Sequence, residues 1–76
     1  MKAVLLIRVA PTREKIVAKQ LVEDFPEVFD AWAVFGEYDI VAMLEAESIE
    51  VMSRLITNHI RKMKGVLKTS TLVFIT

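Results

Sequence analysis

Two stretches of helical periodicity, each closed by a helix breaker, partition a chain that otherwise reads as short apolar strands. In the first, Val17, Leu21 and Phe25 recur every four residues with Ala18 and Val22 beside them, and Arg13, Glu14, Lys15, Lys19 and Glu23 largely cover the other side. Pro26 ends it, because proline lacks the N–H that a continuing helix needs. In the second, Ile49, Met52, Ile56, Ile60 and Met63 mark the apolar stripe, Arg61, Lys62 and Lys64 complement the negative end of the helix dipole, and Gly65 follows as the terminating glycine. Thr12 and Ser48 stand where a hydroxyl can accept a bond from an early helical N–H.

Four apolar runs flank these helices: KAVLLIRVA (2–10), EVFDAWAVF (27–35), YDIVAMLEA (38–46) and VLKTSTLVFIT (66–76). Their lengths and branched side chains predict strands. Gly36-Glu37 has the length and composition of a type II′ hairpin turn between the second and third. The order β-α-β-β-α-β predicts one domain over residues 1–76 of the α+β class. It is a ferredoxin-like sandwich, a four-stranded antiparallel sheet with both helices on one face.

With helices on one face only, the other face of a lone sheet should be polar. Here both are apolar: Tyr38, Ile40, Ala42 and Leu44 alternate with Val41 and Met43, and Leu72 and Phe74 alternate with Val73 and Ile75. The hydrophobic fraction, 54%, is high for a chain of 76 residues, since a domain this small buries only about 60% of its extended surface. Without cysteine there is no disulfide and no thiolate metal site, and the single His59 cannot build a zinc site. A partner chain is the remaining source of buried surface, and a second copy joined through the sheet is the simplest cover.

Ten basic and ten acidic residues balance, which argues against autonomous nucleic-acid binding, where a basic excess replaces phosphate counterions. AVLLI after Met1-Lys2 starts like a signal peptide, but Arg8 interrupts it, and no run approaches the roughly 20 residues of a membrane span. A soluble, cytoplasmic chain is expected.

Catalytic chemistry finds little material. Ser48, Ser53 and Ser70 lack a nucleophile-elbow context, and His59, beside Ile60, suits a structural position at the edge of the core. Glu45 and Glu47 share a strand face, but strand-end acids are routinely solvated, and acid–base work needs a pocket with tuned pKa values. Two glycines cannot make a phosphate-cradling loop. RNA-recognition domains share the element order but need aromatics on the central strands framed by basic residues; the third strand has one aromatic at its edge, two acids and no base. Neither an enzyme nor a cofactor or metal site is expected.

Two motifs remain, Gly36-x-Tyr38-Asp39 before an apolar strand and Gly65-Val66-x-x-Thr69-x-Thr71 before another. In this order, with an amphipathic helix between, they resemble the ligand-binding domain of the leucine-responsive regulator/AsnC transcription-factor family, over essentially the whole chain. The resemblance implies dimers joined through their sheets, rings of dimers, and a small effector, usually an amino acid, held between neighbouring dimers. By position, Ala33, Gly36, Glu37, Tyr38 and Asp39 would line that site together with Thr69, Ser70, Thr71 and Leu72. Physically, the Asp39 carboxylate can receive an ammonium in a charge-assisted bond, and the N–H groups around Gly36 and Glu37 can receive a carboxylate. The three hydroxyls offer neutral contacts, and Ala33 and Leu72 bound an apolar side-chain pocket. With the first strand read as beginning at Met1, no counterpart of the family's helix-turn-helix domain is expected. The expectation is therefore a stand-alone sensing module that acts on transcription through full-length partner regulators and does not touch DNA itself. A ligand-free structural subunit of a regulatory oligomer is the alternative.

Overall fold

The first strand, β1 (Lys2–Val9), shows how the layers arise. Its odd residues Ala3, Leu5, Ile7 and Val9 are buried, while Val4 and Leu6 point to the opposite face and are only half-buried. The computed structural model describes residues 1–76, in which β1 is followed by α1 (Glu14–Asp24), β2 (Val28–Ala33), β3 (Ile40–Glu45), α2 (Ile49–Asn58) and β4 (Val66–Val73). The alternation recurs in the other central strand, β3, and is lost in β2 and β4. The sheet is antiparallel with strand order β2-β3-β1-β4, so the first strand of the sequence lies inside and β2 and β4 form the edges. This is the α+β ferredoxin-like sandwich that the element order predicts.

The core lies between sheet and helices. Val17 and Leu21 of α1 and Met52, Leu55 and Ile56 of α2 close over the inward residues of β1 and β3, and no polar or charged residue is buried. The other face is also apolar, as the alternation requires. Register aligns Trp32, Val41, Leu6 and Ser70 in one row and Asp30, Met43, Val4 and Leu72 in the next. Trp32 and Leu72 are about half exposed, at 47% and 56%. No helix covers these rows.

The ends of the elements differ from expectation for local reasons. Thr12 does not cap α1. Arg13 N–H donates to the Ala10 carbonyl at 3.1 Å, which closes a turn with Pro11 at its second position and Thr12 at its third. That third position demands positive φ, as in a type II turn, and Thr12 has φ 71°. α1 therefore starts without a side-chain cap, whereas the Ser48 hydroxyl accepts from Val51 N–H at 3.2 Å and caps α2.

α2 stops at Asn58, short of Met63, and a single 3₁₀ turn (Ile60–Lys62) follows. Three-residue spacing places Ile60 and Met63 on one side, and both pack on the core. Gly65 thus belongs to the turn into β4. Its φ is 93°, and an added Cβ would lie 3.0 Å from the Arg13 side chain, so both conformation and space select glycine there. The strands are also shorter than their apolar runs, and β4 ends at Val73.

Candidate functional site

The connection between β2 and β3 is longer than a two-residue hairpin. Pairing of the strands ends at Ala33–Ile40, and Val34 N–H donates to the Asp39 carbonyl at 2.9 Å, leaving residues 35–38 as the loop. Asp39 sets this length. Its N–H donates to the Ile7 carbonyl at 2.9 Å, and its Oδ2 accepts from Val9 N–H at 2.8 Å. Val9 lies where β1 slips register against β4, and β3 supplies no residue opposite it. A side-chain carboxylate therefore extends the β1–β3 ladder where backbone acceptors run out.

Arg8 ties down the rest of the loop. Its Nη2 donates to the Glu37 carbonyl at 2.7 Å, and its guanidinium carbon lies 5.9 Å from the centre of the Tyr38 ring, within cation–π range. Gly36 has φ 144° and nothing within 4 Å of a would-be Cβ, so backbone conformation alone selects glycine. The loop is held at its base and open at its tip, where Phe35 is fully exposed. None of the N–H groups of residues 35–38 donates a hydrogen bond within the chain. Two features can thus meet a ligand: a set of free N–H donors and the Asp39 oxygen not used by Val9.

The β4 residues divide between the two faces of the sheet. Thr69 and Thr71 pair with Ile7 and Leu5 and lie on the helix side; Ser70 and Leu72 pair with Leu6 and Val4 and lie on the uncovered face. Within one chain neither set reaches the hairpin loop. β1 separates β3 from β4, and at strand spacings of roughly 4.8 Å the two are about 10 Å apart. Ala33 lies farther still, in the row Ala33–Ile40–Ile7–Thr69 that runs from one edge to the other.

Thr69 and Thr71 instead open into a groove of about 290 Å³ between β4 and α2, the one cavity of the chain. Met52, Ile56 and Val73 give it an apolar floor, and Ile49, Ser53, Thr57 and Arg61 complete the walls. These residues are missed by reasoning from the two motifs. The legible signal is Ser53 and Thr57 riding beside the apolar stripe of the second helix, which wets one flank of it. Arg61 reads from the sequence as a helix-dipole partner, yet α2 has ended three residues before it. It lies in the groove and makes no side-chain hydrogen bond. His59 is outside the groove, its ring 6.3 Å from that of Phe25.

No helix is long and apolar enough to cross a membrane.

The sequence matches the Lrp/AsnC ligand binding domain over residues 2–76. It is 35% identical to an uncharacterized HTH-type transcriptional regulator of Pyrococcus furiosus, the match covering 93% of this chain and 49% of that protein. The chain thus spans about half the length of the curated relative it matches. Among solved structures, a hypothetical protein of Pyrococcus horikoshii superposes with a TM-score of 0.90 at 35% identity, covering 99% of this chain and 89% of that one. A transcriptional regulator of Neisseria meningitidis, solved as a complex with L-Met, shares the fold at TM-score 0.87 and 16% identity, covering 99% of this chain and 49% of that one.

Proposed function

Because the chain belongs to the Lrp/AsnC ligand-binding domain family, we propose that it is an effector-binding regulatory module whose effector is a free amino acid held between subunits. The observation that carries this reading is the separation, within one chain, of two chemically complementary surfaces. The hairpin offers the free Asp39 oxygen and unpaired N–H groups; the helix side of β4 offers hydroxyls and a cavity. Because β1 keeps them apart, one ligand meets both only when a second subunit brings its hairpin to the groove. The L-Met bound by the Neisseria regulator supports the ligand class.

Assembly begins, on this reading, with two copies covering each other's apolar sheet face, and the dimers then join through the effector site. A ligand that prefers one assembly shifts the population toward it. Transcription is affected through regulators that carry the same domain, as the relative twice this length suggests.

Calorimetry against a panel of free amino acids, with sedimentation in parallel, tests the reading. Binding of at least one amino acid at millimolar concentration or better, with a change in assembly state, is expected. A folded oligomer that binds none is the ligand-free structural subunit. For the site itself, Asp39→Asn is the informative variant, because the amide oxygen still accepts from Val9 N–H while the charge is gone. Weakened binding at unchanged fold is expected. Asp39→Ala confounds the two roles, since it also removes the acceptor that ends the β1–β3 ladder.

A further inference from the structure

α2 and β4 run in opposite directions along the groove, so its lining is ordered along an axis. Ala46 N–H and Phe74 N–H donate to the carbonyls of Met1 and Lys2, at the start of β1, so Ile49 and Met52, from the start of the helix, fall at the Val73 end of the groove. Thr57 and Arg61 fall at the end of Thr69, in the middle of the strand, with Ser53, Ile56 and Thr71 between. One end is therefore hydrocarbon, the other holds a guanidinium and two hydroxyls, and the floor is apolar, with Met52 and Ile56 buried. Among the nine lining residues there is one cation and no acid.

We propose that this groove is by itself a binding site for short aliphatic monocarboxylates, with Arg61 receiving the carboxylate and the Ile49–Met52–Val73 end receiving the hydrocarbon. It shares Thr69 and Thr71 with the effector site above but needs neither the hairpin nor an amino group on the ligand. Arg61 presents a planar donor fork suited to two carboxylate oxygens, and it engages no other group of the chain. An ammonium in the same place would meet neutral hydroxyls and a like charge, with nothing to offset its lost hydration. The volume, about 290 Å³, lies just below the roughly 300–1,000 Å³ range of small-molecule pockets, which suits a compact acid rather than a nucleotide. The groove opens on the helix side of the sheet, so covering the apolar face leaves it accessible.

The test uses an isosteric pair, 4-methyl-2-oxopentanoate and leucine, with 3-methylbutylamine as the probe of opposite charge. Calorimetry and ¹H–¹⁵N spectra are recorded on the wild-type chain and on Arg61→Gln and Lys62→Gln. Lys62→Gln removes the same charge one residue along, outside the groove. The expected result is binding of the oxo acid with amide shifts at Thr57, Arg61, Thr69 and Thr71, and no binding of the amine. Affinity should fall about tenfold or more in Arg61→Gln, the size of one charge-assisted bond, and hold in Lys62→Gln. Arg61 is exposed, and matching thermal unfolding of both variants establishes that they fold. The proposal is overturned if the oxo acid does not bind, if Arg61→Gln binds it as well as wild type does, or if shifts centre on Gly36–Asp39. Leucine binding at the hairpin without oxo-acid binding would leave the effector reading standing and this one refuted. Arg61-dependent oxo-acid binding without binding of any amino acid would do the reverse.

Discussion

Leu5 and Leu6 are neighbours in one strand, equal in size and chemistry, and they have opposite situations. Leu5 is fully buried beneath the helices, whereas Leu6 stands half-buried in the middle of a face that nothing in the chain covers. The same contrast holds between Ala42 and Val41 on β3, whereas on the edge strand β4 Thr71 and Leu72 are both exposed. Folding of a single chain thus satisfies one face. The other retains Val4, Leu6, Trp32, Val41, Met43 and Leu72, an apolar surface suited to association. The difference separates two energies that a stable oligomer would merge: stability of the subunit, set by the covered face, and association, set by the open one.

The largest expected effect comes from the covered face. Leu5→Ala should cost about 2–5 kcal/mol of subunit stability, read as a lower midpoint in urea at every protein concentration; a loss seen only on dilution would mean that Leu5 acts through association. Leu6→Lys is the counterpart. It should push the chain toward monomer in sedimentation while leaving most of the subunit's stability in place. Trp32, the only tryptophan, reports this directly, because its emission should shift to the red as the open face meets water. A variant that sediments like wild type would remove the reason for assigning that face to a partner.

Two smaller effects sharpen the division. Gly36→Ala forces a side chain into a backbone region that non-glycine residues avoid, at roughly 1–3 kcal/mol. It should loosen the 35–38 loop and the edge strand β2 beside it, seen as faster amide exchange there with β1 and β4 unaffected. Ser48→Ala removes the α2 cap on the covered side and should cost about 1 kcal/mol. Its association constant should match wild type, and a change in it would show that α2 takes part in assembly.

Much of this architecture is legible in the amino-acid sequence. Val17/Leu21 spacing, Pro26, Ser48 and the alternation in β1 and β3 each act within a few residues, so they announce elements, order and the two apolar faces. The misreadings have separate causes, and only that of the hairpin lies in a long-range contact. Gly36-Glu37 has the composition of a two-residue turn, but Asp39 is bonded to Ile7 and Val9, about thirty residues away along the chain, and that draws the loop out to four. Thr12 has a capping hydroxyl, but the Ala10–Arg13 turn places it one residue too early. For the proposed site, the motif residues of β4 read as one stretch, and pleating sends alternate members to opposite faces.

The sequence alone determined that this chain forms a βαββαβ sheet with helices on one side and an apolar surface left over, because hydrophobic period and helix breakers act locally. Only the tertiary structure decided that Asp39 serves the end of β1, and that Arg61 lies in one groove with Thr69 and Thr71. Those juxtapositions depend on strand register and on the antiparallel lie of a helix against an edge strand. Neither is set by any short stretch of chain; both follow from how the whole core closes.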